Sequence, residues 1–291
     1  MSARVCVVGS INWDVTLDVA DLPRPGETVL ASSLVYAPGG KGGNQAVAAA
    51  RAGAEVRFIG AVGDDRAGDR LVDHLRATGV GVDAVIRRHG PSGTAIIVVD
   101  SGGENTIVVA PGANTALSVS PGSIAGCDVL LTQLEIPVPM ALTAARQARS
   151  VGAVVMVNAS PAGQDGDVLA ELAGVADVVI ANEHEARSWP WRPAHFVTTL
   201  GARGARYLGV DGEFEVPAPA VAAVDTTGAG DVFAGVLAAS WPGGAGSADG
   251  RRAAVRRACA AGALATLVRG AGDCAPDAAG IDAAVSGTSS P

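Results

Sequence analysis

The sequence predicts an α/β fold of three layers, α/β/α, with a mainly parallel central sheet and a small antiparallel sheet as a lid. Three observations predict it. Short apolar runs at 4–9, 56–62, 128–134, 153–157, 177–181 and 195–199 read as strands, and RVCVVG at 4–9 has the look of a buried parallel one. Between and after them, helical spacing recurs at 44–52, 68–78, 139–151, 167–173, 232–241 and about 249–268. Strand–helix alternation of this kind implies parallel strands with helices on both faces. A different pattern, polar and apolar residues in turn, occupies 14–19 and part of 28–36, and the pair 94–99 and 105–110 flanks Asp100-Ser101-Gly102-Gly103 as a hairpin. These half-exposed segments supply the expected lid, lying over the carboxyl ends of the parallel strands, where open α/β sheets bind ligands. A further hairpin turns at Asp211-Gly212, one domain spans 1–285, and 286–291 reads as a disordered tail.

Composition removes several classes of function. Of the 291 residues 48% are hydrophobic but only 3% aromatic, so the core is built from small side chains. No apolar run reaches the ~18 residues of a membrane span, and 1–9 lacks a leader pattern. The net charge of −8 argues against a nucleic-acid partner. Cys6, Cys127, Cys259 and Cys274 are scattered, which points to a reduced cytoplasmic setting and away from a zinc site. Lys41 is the only lysine in the chain.

The chemistry gathers at a few loops. Asp225-Thr226-Thr227-Gly228-Ala229-Gly230-Asp231 runs into a helix that Pro242-Gly243-Gly244 stops. Glycines there leave backbone N–H groups and the positive end of the helix dipole facing outward, a natural seat for an anion and above all for a phosphate in transfer. Asp231 beside such a seat repels the ligand unless it works as a base on an attacking hydroxyl; its bland alternative is a helix cap. Gly39-Gly40-Lys41-Gly42-Gly43-Asn44 launches a second helix; it is neither a Walker loop nor a dinucleotide fingerprint, and suits a polyhydroxylated ligand read by Lys41 and Asn44. Asn12, Asp14 and the Glu135 that follows Gln133-Leu134 leave strand ends on one rim, as recognition of several hydroxyls requires. Asn182-Glu183-His184-Glu185 follows another strand there and offers a water-mediated anchor for Mg²⁺. The Gly-rich turn Thr199-Leu200-Gly201-Ala202-Arg203-Gly204 is suited to a nucleotide.

Taken in order, Gly9-Ser10-Ile11-Asn12-x-Asp14, Pro25-Gly26-Glu27-Thr28, the 39–46 run ending Asn44-Gln45-Ala46, Gly63-Asp64-Asp65, Asn182-x-x-Glu185 and the 225–231 loop resemble the PfkB carbohydrate kinase family from about Arg4 to about Asp282. The resemblance implies a ribokinase-like fold and an ATP-dependent kinase that phosphorylates the 5-hydroxyl of D-ribose, with Mg²⁺ and a monovalent cation, usually K⁺. By similarity Asn12, Asp14, Gly40, Lys41, Asn44 and Glu135 would hold the sugar. Gly228, Ala229 and Gly230 would form the anion hole, with Asp231 as base. Asn182, Thr199, Gly201, Arg203 and Gly204 would contact ATP, Glu185 would organise Mg²⁺, and Asp225, Thr227, Ala265, Val268, Gly270 and Cys274 would surround the monovalent ion. A homodimer through the lid follows by the same analogy.

Three features depart from the family's pattern. Only Ala186 to Ala194, with two prolines and two tryptophans, stand where the family carries a helix and a further turn; apolar surface is exposed there unless Trp189 and Trp191 cover it. Cys259 stands where a His or Asn usually meets the adenine, and Cys274 where a Ser lies by the cation. Fructokinases, 2-keto-3-deoxygluconate kinases and nucleoside kinases share the expected chemistry, and a non-catalytic sugar- or nucleotide-binding protein on the same scaffold is the alternative from another class.

Overall fold

A computed structural model describes residues 2–163, 166–242 and 246–287. The chain opens with β1 (Arg4–Val8), β2 (Asn12–Asp18) and β3 (Ser33–Gly39), then α1 (Lys41–Arg51), β4 (Glu55–Ile59), β5 (Ala61–Gly63) and α2 (Arg66–Ala77). Next come β6 (Ile86–Arg88), β7 (Gly93–Val99), β8 (Asn105–Ala110) and a short 3₁₀ turn, Gly112–Ala116. The α/β alternation continues through β9 (Val129–Gln133), α3 (Val138–Ser150), β10 (Val154–Asn158), α4 (Asp167–Val175), β11 (Val178–Asn182), α5 (Glu183–Arg187) and β12 (His195–Thr199). The rest is β13 (Ala205–Gly209), β14 (Gly212–Val216), α6 (Ala229–Ser240), α7 (Ala248–Ala265) and α8 (Ala278–Gly287).

The central sheet has the order β14-β13-β12-β11-β10-β9-β1-β4; β12 to β4 run parallel, and β13 and β14 fold back antiparallel at one edge. Period-two alternation splits its side chains between two cores. Val5, Val7, Leu131, Met156 and Ile180 pack under α1, α2, α6 and α7. Cys6, Val8, Leu130, Val155 and Val179 pack under α3 and α4. This is the three-layer arrangement. Its helices approach closely because their facing residues are small: a Cβ on Gly235 of α6 would stand 2.3 Å from the Gln45 carbonyl oxygen of α1.

The lid, β3-β2-β7-β8, is mixed and not antiparallel throughout: β2 pairs antiparallel with β3 but parallel with β7. The hairpin β7–β8 adds to β2 along its free edge, and the α/β segment between β2 and β7 returns the chain in the same direction. Other expectations shift in register. Residues 28–32 are outside the strand, which runs 33–39, and the 56–62 run breaks at Gly60, where β5 leaves the central sheet to pair with β6. A Cβ at Gly60 would lie 2.4 Å from the Phe58 ring, so the break needs glycine. Helix α8, not foreseen, packs Ile281 against Val236, Ala261 and Ala265; it includes Ser286 and Gly287, while 288–291, the rest of the expected tail, lie outside the described residues. Gly243 and Gly244 of the expected helix stop also lie outside them; α6 ends at Ser240.

The shortened segment after β11 is covered from within. Trp189 is buried in the α3–α4 core, and Trp191 packs edge-on against it with ring centroids 5.1 Å apart.

Candidate active site

Glycine brings the site together by permitting close approach, not by loosening the chain. The 39–43 run launches a helix as expected, but earlier than at Asn44: β3 ends at Gly39, Gly40 takes φ 84°, and α1 begins at Lys41. A Cβ on Gly40 would lie 2.7 Å from the Asn12 nitrogen, and one on Gly42 2.6 Å from the Ser10 carbonyl oxygen. The first turn of α1 is therefore pressed onto the β1–β2 connection, and Asn12, Lys41 and Asn44 share one rim.

Asn12 is buried, and its Oδ1 accepts a hydrogen bond of 2.8 Å from Asn114, whose side chain also clasps the Ile11 backbone. Glu135, two residues past β9, accepts from the Ser10 hydroxyl at 2.6 Å and from the Lys41 N–H at 3.1 Å. Asp14 lies over Gly39, and its Oδ1 is buried without a hydrogen-bond partner. Burial, together with the charges of Glu135 and Asp231, pushes the Asp14 carboxyl up to about 7. Lys41 moves the other way for its own charge: chiefly Asp231, then Glu135 and Glu185, hold its ammonium protonated against the cost of burial. Three carboxylates around one cation leave donors and acceptors aimed at a shared space, which suits a ligand rich in hydroxyls.

Asp231 sits in the first turn of α6, buried, with Gly228 as N-cap at φ 79° and no side chain capping the helix. Its Oδ2 accepts from the Asn44 amide and its Oδ1 from the Gln45 amide, each at 3.0 Å. A Cβ on Gly228 would stand 2.7 Å from Ala271 Cα, whereas Gly230 faces open space. No side chain caps this turn, the Ala229 N–H donates to the Thr226 carbonyl at 3.3 Å, and the helix end suits an anion beside a carboxylate held from two sides.

On the other side of α6's N-terminus lies a cavity of about 500 Å³. Its lining includes Thr199, Gly201, Gly204, Ala229, Gly230 and Cys259. Asn182 and Arg203 are not part of that wall. The Asn182 side chain caps α5 in a reciprocal box with Glu185, and Arg203 pairs with Glu183 at 2.7 Å. Asn182 stays at the rim, since it is the register partner of Thr199. Cys259 is buried, bonds the Val216 carbonyl at 3.7 Å, and burial lifts its thiol to about 12, so it acts as a small neutral wall residue. Glu185 is buried with Oε2 bound to the Asn182 N–H, leaving Oε1 outside the capping box.

Behind the anion seat, the Asp225 carboxylate accepts from Thr227 N–H at 2.8 Å and Gly270 N–H at 2.9 Å. Burial alone would raise this carboxyl; hydrogen bonds from Gly270 and Thr227 and the nearby Arg269 hold it below its ordinary value. The Cys274 thiol bonds the Ala271 carbonyl at 3.3 Å and reaches toward that of Thr227. Asp225, Thr227, Gly270 and Cys274 thus share one small region. The Ala265 carbonyl instead accepts from Val268 N–H, and Val268 is exposed. An ionised carboxylate with backbone carbonyls is the donor set a hard monovalent cation takes.

Ser10, Gln45, Asn114, Gln133 and Asn158 complete this architecture and had not been singled out as site residues. The signal was present, since Gln133 and Asn158 end apolar runs with an amide. Trp13, between Asn12 and Asp14 in sequence, points away from the ligand space: it stacks on Tyr36 and carries the Arg70 guanidinium 5.5 Å above its ring, so it packs the lid onto α2.

The model of the pfkB family carbohydrate kinases matches residues 2–278. The ribokinase of Bacillus subtilis is 36% identical over 248 residues, 79% of this chain and 83% of that protein. Among solved structures, ribokinase from Thermotoga maritima superposes with a TM-score of 0.87 at 29% identity, covering 98% of this chain and 100% of the other. Arabidopsis thaliana ribokinase, complexed with ribose and ATP, gives 0.87 at 27% identity, covering 98% and 99%. The fold, the ordered motifs and these likenesses lead to one assignment: the chain belongs to the pfkB family of carbohydrate kinases and is an ATP-dependent phosphotransferase.

Proposed function

We propose that this kinase is a ribokinase, transferring the γ-phosphoryl group of ATP to the 5-hydroxyl of D-ribose. The observation that carries the reading is the position of Asp231, buried at the uncapped N-terminus of α6 between the carboxylate-lined rim and the 500 Å³ cavity. Asn12, Asp14, Gly40, Lys41, Asn44 and Glu135 hold the sugar; the unpartnered Asp14 Oδ1 accepts from one of its hydroxyls. The adenine side lies against Cys259, Gly201 and Gly204, with Thr199, Asn182 and Arg203 at the mouth. The names of the relatives, ribokinases at 36% and 33% identity, favour ribose over the other acceptors.

In the transfer, the 5-hydroxyl oxygen forms a bond to the γ-phosphorus while the bond from that phosphorus to the β–γ bridging oxygen breaks and ADP leaves. The hydroxyl proton passes to Asp231. An ionised carboxylate is a weak base toward a resting alcohol; it suffices because the hydroxyl becomes acidic only as the new bond forms. The N–H groups of Gly228, Ala229 and Gly230 meet the negative charge on the transferring group, that of Ala229 leaving its 3.3 Å bond to the Thr226 carbonyl to do so. Mg²⁺, bound with the nucleotide and held through water by Glu185, would screen phosphate charge. The Asp225, Thr227 and Gly270 region would hold K⁺, steadying the loop that shapes the anion seat.

The lid exposes apolar side chains on both faces, Leu34, Tyr36, Ile96 and Val108 on one and Val35, Ile107 and Val109 on the other, and this exposed surface supports a homodimer through the lid; sedimentation equilibrium tests it, and a monomer at micromolar concentration would contradict it. The functional test is coupled ADP release with Mg²⁺-ATP, with and without K⁺, on ribose, fructose, 2-keto-3-deoxygluconate and adenosine. Preferential, K⁺-stimulated turnover of ribose is expected. Preference for another acceptor would reassign the sugar contacts, and binding of sugar and ATP without any turnover would mark a non-catalytic relative.

A further inference from the structure

A chain of buried amides runs from the central sheet to Asp231, and nothing in the sugar or nucleotide contacts accounts for it. Gln133, the last residue of β9, donates Nε2 to Gln45 Oε1 at 2.7 Å. Gln45 spends both of its Nε2 hydrogens, one on Asp231 Oδ1 and one on Asn158 Oδ1, each at 3.0 Å. Asn158, the last residue of β10, anchors the far end by donating to the Ile180 carbonyl at 3.2 Å. Gln45 and Gln133 are fully buried, so these groups do not meet bulk water.

We infer that Gln45, held by Gln133 and Asn158, is a positioning residue that sets the rotamer of the Asp231 carboxylate; the inference rests on Asp231 being the base. The orientation of the Gln45 amide is over-determined. Turned by half a revolution, it would set its oxygen against the Asp231 carboxylate and the Asn158 oxygen, and its NH₂ against the Gln133 NH₂. The observed orientation pairs both amide atoms of Gln45, leaves only Gln133 Oε1 of these amides without a partner, and aims a donor at Asp231. The donor pins Oδ1, so that with Asn44 on Oδ2 the carboxylate is held from both sides. The same contact needs α1 and α6 to touch, which Gly235 allows by having no side chain where the Gln45 carbonyl oxygen lies.

The test uses full-length protein and three variants beside Asp231→Asn. Gln45→Met keeps the volume and removes the donor. Its kcat for ribose should fall on the order of 10- to 100-fold, as misaiming a reacting group does, with KM for ribose and ATP within about threefold. Gln45→Glu keeps the shape and sets a second carboxylate on Asp231; the acidic limb of its kcat–pH profile should move up by about one unit or more. Gln133→Leu should cost less than Gln45→Met, and the double variant should be no slower than Gln45→Met alone, because Gln133 acts only through Gln45. A purely structural glutamine would instead lower Tm and scale kcat evenly at every pH, with the two substitutions additive. Wild-type kcat and pH profile in Gln45→Met and Gln45→Glu, alongside an inactive Asp231→Asn, would overturn the inference and leave the base assignment standing. Full turnover in Asp231→Asn would remove both.

Discussion

The two halves of the site are built from different materials. The acceptor rim is charged and interlocked: Asp231, Glu135 and Glu185 act on Lys41, Asp14 lies beside them, and Asn12, Ser10, Asn44 and Asn114 tie the set together with side-chain hydrogen bonds. The nucleotide cavity is lined mostly by glycine, alanine, threonine and one buried thiol, so its shape comes from backbone. A charged rim discriminates, because a wrong ligand strands a buried polar group, at a cost of about 1–3 kcal/mol for each group left unpaired. A backbone wall tolerates change in its side chains but not in its dihedral angles. Substitutions on the two sides should therefore fail in different ways.

The largest effect among such substitutions belongs to the backbone side. Gly228→Ala puts a side chain at φ 79° and a methyl 2.7 Å from Ala271 Cα, so the first turn of α6 must move. Turnover should drop by about 100-fold, the scale of losing an oxyanion-hole donor, with ribose affinity much less affected. Steady-state kinetics with equilibrium ribose binding would show it; unchanged kcat would mean that this turn is not the anion seat.

Asp14→Asn probes the charged side with an intermediate effect. KM for ribose should rise about tenfold while KM for ATP stays near its starting value, the scale of one hydrogen bond to a charged group. Stability should move oppositely. With its carboxyl at about 7 in the fold against 3.8 ordinarily, the folded protein binds this proton more tightly than the unfolded chain. That contribution is complete below the ordinary value and is lost as pH rises through the folded one. The Tm advantage of Asp14→Asn over the parent should widen from about pH 4 to pH 7 and then level off. A constant difference across that range would contradict the ionisation assigned to Asp14. The smallest effect is expected from Cys259→Ser: a buried wall residue making one weak bond to Val216 should alter KM for ATP by no more than about threefold.

These contrasts also explain what could be read from the chain in advance. The parallel sheet was legible because β1, β9, β10 and β11 are apolar runs of strand length, and the glycine loop before Asp231 announced a helix N-terminus. What escaped depended on contacts distant in sequence. Neither the parallel pairing of β2 with β7 nor the early start of α1 is visible locally, since both follow from what lies opposite: Gly93 and Gly39 against Asn12, and Ser10 against Gly42. Gln45, Gln133 and Asn158 escaped as site residues for the same reason, being 113 or fewer positions apart in sequence yet joined by one amide. Trp189 and Trp191 were legible as a possible plug because little else in that short segment could cover a sheet face.

The most direct measurement is ribose-dependent ADP release by Asp231→Asn beside the parent enzyme, with ribose and ATP binding measured on the same samples. The account predicts that turnover falls by about 1,000-fold or more while both ligands bind within a few-fold of the parent, as removing a group used only in the transition state requires. Turnover near the parent level in a folded Asp231→Asn protein would contradict it and take the base assignment away from α6.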